Sequence, residues 1–173
     1  SCAAPDVDKN PNKFNTIDEK ILPFLKQYEA DLSAKLGKEI NALKYLTAGF
    51  SEIGKDSGVV GQCSTVVTGV EIEIDQLYWE NIDQNTRTVL IYHEASHCVC
   101  GRGHTWSSGT YPESQKDVDM PNLDWEGEEL IRNGYFSDRC PMSLMHSKMP
   151  NYFCIKRYFG YYLQESLEQC GFD

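Results

Sequence analysis

The stretch His93-Glu94-Ala95-Ser96-His97-Cys98-Val99-Cys100-Gly101-Arg102-Gly103-His104 constrains this chain more than any other, and it holds three of the four histidines in the sequence. Residues four apart on an α-helix lie one above the other on the same face. His93 and His97 can therefore aim two imidazoles at one metal ion. Glu94 projects about 100° around the helix from His93, within reach of a water on that ion. Two imidazoles leave a site incomplete. Gly101 and Gly103 offer a way to end the helix and turn the chain back, since glycine tolerates positive φ, and the turn would return His104 to the metal. Neutral imidazole suits zinc, and three protein ligands leave a fourth position open. The expected site is one zinc ion held by His93, His97 and His104, with Glu94 as the base that takes a proton from zinc-bound water.

His93-Glu94-Ala95-Ser96-His97 fits the H-E-x-x-H signature of zinc hydrolases. The longer stretch resembles the metzincin clan of zinc peptidases, H-E-x-x-H-x-x-G-x-x-H, with one departure. Its glycine and its third histidine each come one position late, and Cys100 stands in the usual glycine place. More closely, it resembles bacterial metallopeptidase-like lipoproteins with a cysteine straight after the second histidine and an R-x-H segment carrying the third ligand. The resemblance extends over about residues 17–170 and is specific around 79–104 and 140–146. It implies that Ser143-Leu144-Met145 forms the clan's methionine turn, with Met145 as an apolar, polarizable floor under the histidines. A tyrosine two residues beyond that methionine, an extra ligand in some members, is Ser147 here. His146 stays outside the ligand set.

Seven cysteines in 173 residues point to an oxidising compartment. Cys2, followed by the polar stretch Ala3 to Asn15, resembles the acylated cysteine and tether of a mature bacterial lipoprotein. That leaves Cys63, Cys98, Cys100, Cys140, Cys154 and Cys170 for three bridges. Six cysteines allow about 15 pairings, and Cys63–Cys98 is the preferred one. Cys98 and Cys100 cannot bridge each other while helical, and thiolate ligation of a structural zinc is the alternative use for them. The net charge of −10, from 16 basic and 26 acidic residues, argues against a nucleic-acid partner. No apolar run is long enough to span a bilayer. The expected location is extracytoplasmic: secreted, periplasmic, or anchored to a membrane through Cys2.

Residues 1–15 read as a flexible tether and 16–173 as a single domain. Thr16 and Glu19 fit a capping box ahead of Ile21, Leu25, Tyr28, Leu32 and Leu36 at helical spacing, which Gly37 ends. Pro23 calls for a first-turn kink or a later start. Leu43 to Phe50 reads as a strand, Ser51 to Gln62 as a loop, and Val66 to Asp75 as a second strand region. There Val70, Ile72 and Ile74 alternate with Glu71, Glu73 and Asp75. The acidic side reads either as a solvated face or, by the resemblance, as part of the edge strand beside the metal. Asp83 or Asn85 caps the helix that runs to about Cys100. Residues 105–139 form a long connection, with a short helix over 124–132 and solvated acidic residues. Asp117, Asp119 and Glu126 are the fallback ligands should His104 fail. Ile155, Phe159, Tyr162 and Leu167 mark a final helix.

The expected fold is α+β: a small twisted mixed sheet packed on the active-site helix, with a helical C-terminal part. The resemblance implies a peptidase acting on a peptide or protein substrate, and the chain is expected to be a monomer. The competing reading is a non-enzymatic surface binding module that keeps zinc for structure. Glu94 favours the enzyme, because a structural zinc site closes its coordination and needs no base. Arg102 and Tyr152 are candidate substrate contacts, each with a structural role as the simpler reading.

Overall fold

A computed structural model describes residues 9–104, 134–136 and 138–170. The expected helix over 124–132, the acidic residues of that segment, and Cys2 lie outside the described residues.

Helix α1 spans Leu22–Leu36 and buries Leu25, Tyr28 and Leu32, as the helical spacing predicts. Burial of side chains such as Ile21, Leu25 and Leu32 contributes about 1.5–3 kcal/mol each. Its start differs from the capping-box expectation. Pro23 occupies the first turn and Ile21 precedes the helix without a side-chain cap. Thr16 and Asp18 serve the sheet instead: the Ala48 amide donates to the Thr16 carbonyl, and the Asp18 amide to the Ala48 carbonyl. The later start that Pro23 demands is the one adopted. Gly37 closes the helix in the left-handed conformation.

A 3-10 turn over Ala42–Tyr45 leads into strand β1 (Leu46–Ser51). A short helix α2 (Gly54–Ser57) follows, then β2 (Gly61–Val66) and β3 (Gly69–Asp75). The first strand thus starts later than predicted, and β2 begins inside the stretch read as loop. The sheet order is β1-β3-β2, with β3 parallel to β1 and antiparallel to β2. Helices α3 (Gln76–Glu80), α4 (Gln84–Cys100) and α5 (Tyr152–Ser166) complete the described elements. The class is α+β, with a three-stranded mixed sheet.

Two expectations for the acidic strand are corrected. Among the described residues β3 is the central strand, and β2 is the edge beside the histidines. The acidic residues are not solvated either: Glu71, Glu73 and Asp75 are all buried. Their partners come from distant sequence. The Lys13 and Phe14 amides donate to the Glu71 carboxylate at 3.1 and 2.9 Å, and the Thr47 hydroxyl does so at 3.0 Å. Lys13 Nζ pairs with Glu73 at 2.6 Å. Asp75 accepts from the amides of Gly54 and Tyr78, capping α3. Residues 9–15, read as the end of the tether, therefore lie against the sheet.

Phe14 is seated where β1 has no side chain. A Cβ at Gly49 would fall 2.4 Å from its ring. Gly49→Ala should destabilise the protein by about 1–3 kcal/mol through overpacking, read from urea unfolding. Combined with Phe14→Ala, the two losses should be less than additive. Strict additivity would show that the ring does not occupy that seat.

On the opposite face of the sheet, Ile72 and Ile74 join α1, α4 and α5 in one apolar cluster. Helix α4 is its axis, with Val89 through Ser96 all buried. Asp83, one of the two candidate caps, accepts from the Thr86 amide at 2.8 Å. Tyr28 of α1 meets Tyr92 edge to face at 5.1 Å. All six predicted cysteines are paired: Cys63–Cys98, Cys100–Cys170 and Cys140–Cys154. The first was the preferred bridge. With both Cys98 and Cys100 oxidised, thiolate ligation by either is excluded.

Candidate metal centre

His93 and His97 lie one turn apart on α4. Beyond Cys100 the chain reverses at Gly101, whose φ of 66° suits glycine, and the Arg102 amide returns to the Ser96 carbonyl at 3.2 Å. Gly101 makes this turn without help from Gly103, which is not in the positive-φ region. The extra residue relative to the spacing of the metzincin clan is absorbed here. His104 returns to the helix, and nitrogen atoms of His93, His97 and His104 all lie within 4.8 Å of one another. This cluster can hold a metal ion.

The tautomers support that use. His93 Nδ1 lies 2.7 Å from the Leu144 carbonyl and His97 Nδ1 lies 2.5 Å from the Arg102 carbonyl. A carbonyl only accepts, so both Nδ1 atoms carry hydrogen. In the neutral rings both Nε2 atoms are then bare, and they face each other at 3.0 Å. Two lone pairs at that separation repel unless a cation lies between them. A proton is disfavoured there: burial, with the neighbouring His97 and His104, holds His93 down at about 3. Burial also holds His97 below its usual range. Neutral imidazoles are the form a metal requires. His93 is buried, His97 half-buried and His104 exposed, so the cluster opens outward.

It opens into a cleft of about 910 Å³, whose lining includes Gly58 to Cys63 and Ser147 to Met149. Glu94 lines the same cleft and is itself buried. Burial raises its carboxyl to about 8, and a cation beside it would favour the carboxylate. Gly61 of β2 makes room for it, because a Cβ there would lie 2.7 Å from the Glu94 carboxylate. Cys63–Cys98 joins this edge strand to the helix directly after His97.

The segment Cys140 to His146 reaches the site through the Leu144 carbonyl on His93. Met142 belongs to the main apolar cluster, whereas Met145 is fully buried but stands outside it. Met145 directly follows Leu144, whose carbonyl holds His93. The segment is fastened to α5: Tyr161 donates to the Met142 carbonyl at 2.5 Å and Tyr162 to the Pro141 carbonyl at 2.8 Å. Cys140–Cys154 ties its start to the same helix. His146 lies tilted against the Tyr135 ring at 5.1 Å and accepts from the Lys148 amide, outside the histidine cluster.

Arg102 lines the cleft, but its guanidinium is engaged in bonds to the protein. It is buried against Glu165 of α5, donating to its carboxylate at 2.9 Å and to its carbonyl at 2.7 Å. Tyr152 is exposed at the start of α5 and is not among the residues lining the cleft. The sequence reading passed over Glu165, which is 1% exposed. A signal for it existed. It follows Tyr162 by one helical turn on the buried stripe of α5, and a carboxylate at such a position needs a partner. In comparisons with known families, characterised proteins and solved structures, nothing matches this chain.

Proposed function

We propose that this protein is a zinc-dependent peptidase of metzincin-like build. The observation that carries the reading is a pair of bare, facing Nε2 atoms, joined by a third imidazole and opening on a cleft that also contains a buried carboxylate. Three nitrogen donors with no thiolate suit zinc. Bound by His93, His97 and His104, zinc would supply a Lewis acid that polarises the scissile carbonyl and eases ionisation of water. Glu94 accepts the proton of the attacking water on its carboxylate and delivers it to the leaving amine. Met145 forms the apolar floor of the histidine pair. Among the described residues the edge of β2 near Gly61 to Cys63 has no strand partner and offers backbone groups to an extended peptide, while its far end is occupied where Asn10 bridges Val66.

Three disulfides fit a non-reducing compartment, and no described helix is long and apolar enough to cross a membrane. The enzyme would work outside the cytoplasm, where such bridges persist, and Cys2 is the proposed point of lipid attachment.

The test begins with metal analysis. Purified protein should hold stoichiometric zinc, and His104→Ala should lose it. Zinc retained undiminished in that variant would remove His104 from the ligand set. Zinc-loaded protein should then cleave members of a diverse peptide library, stop on chelation and resume on zinc addition. A protein that binds zinc yet leaves every peptide intact would instead be a surface module with a structural ion.

A further inference from the structure

Two peptide carbonyls orient the histidine pair, and they come from segments far apart in sequence. Leu144 belongs to the turn before α5, and Arg102 to the turn after α4. One side chain is bonded to both residues. Glu165 Oε2 accepts from the Leu144 amide at 2.8 Å. Its Oε1 accepts from the Ser143 hydroxyl at 2.8 Å and from Arg102 Nη2 at 2.9 Å. The Glu165 carbonyl accepts from Arg102 Nη1 at 2.7 Å. Thus one carboxylate fixes the residue whose carbonyl holds His93 and the residue whose carbonyl holds His97. Glu165 and Arg102 are both buried, so neither water nor salt screens the pair as it would at the surface.

We infer that Glu165 is the positioning residue of the metal centre: it holds the Leu144 and Arg102 carbonyls where they keep both Nε2 atoms turned towards the ion. This rests on the metal-site reading above. A purely structural ion pair would also stabilise the fold, but it would leave the affinity of the folded protein for metal unchanged. Groups that orient metal ligands from behind typically change affinity by about 10–100-fold when replaced.

Glu165→Gln is the informative substitution. It preserves shape, but its amide must point –NH2 at a donor: towards the Leu144 N–H in one orientation, towards Arg102 Nη2 in the other. One of the two carbonyls must then shift. Zinc affinity is measured by competition with a colorimetric chelator, well below the unfolding temperature, with near-ultraviolet circular dichroism confirming the fold. Visible absorption of the cobalt-substituted protein reports ligand geometry directly. The expected result is a folded variant with zinc affinity weakened by about 10–100-fold and an altered cobalt spectrum.

Should Glu165→Gln fail to fold, Arg102→Met combined with Glu165→Leu removes both buried charges and leaves neither unpaired, and the same loss of affinity is expected. Wild-type affinity and an unchanged cobalt spectrum in the folded single variant, or in the paired variant when the single one does not fold, would overturn the inference while leaving the metal site intact. A wild-type protein that takes up neither zinc nor cobalt would overturn both.

Discussion

Glu94→Gln should leave the protein folded and zinc-loaded while its peptide cleavage falls by about 10²–10⁴-fold, the usual cost of losing a general base. The amide has the shape of the carboxylate, so it fits the space left by the missing side chain at Gly61. It cannot take a proton from water. The loss therefore falls on the transition state and not on the ground state, and should appear in kcat more than in KM. Zinc content measured on the same samples separates this from loss of metal. Equal cleavage by the two zinc-loaded proteins would show that the base is another group.

Reduction should have the largest effect on stability. The bridges Cys63–Cys98, Cys140–Cys154 and Cys100–Cys170 close separations of 35, 14 and 70 residues. Loop-closure entropy assigns each about 3–4 kcal/mol, most to the longest. Together they rival the ~5–15 kcal/mol of a typical domain. Full reduction without denaturant should abolish the near-ultraviolet circular dichroism signal. Among paired Cys→Ser variants, Cys100→Ser with Cys170→Ser should lower the urea midpoint most. A fully reduced protein that melts like the oxidised one would show that the core alone sustains the fold.

The parts of this protein legible in its sequence are those whose physics is local. Helical spacing placed His93 and His97 on one face, Asp83 capped α4, and Gly101 supplied the turn that returns His104. Cysteine parity named all six bridged residues. What was misread depends on partners distant in the chain. Alternation in β3 separated its two faces correctly, but Glu71 and Glu73 are buried because Lys13 and Phe14 come from 57 to 60 residues away to meet them. The same segment draws Thr16 into the sheet and away from a helix cap. Strand β2, with Gly61, Gln62, Ser64 and Thr65, has too little apolar alternation to announce itself. It is a strand because β3 pairs with it. Glu165 escaped notice because its role lies in groups on two other segments.

The C-terminal end of a helix is ordinarily where it frays, since its last carbonyls lack partners within the helix. Here the last turn of α4 carries two covalent crosslinks, one to the edge strand at Cys98 and one to the chain's far end at Cys100. The turn bearing His97 is thereby removed from the class of locally melting segments and joined to the globally unfolding core. His93 and His97 are held one above the other by the crosslinked helix itself, so an ion bound between them would need no ordering of that helix.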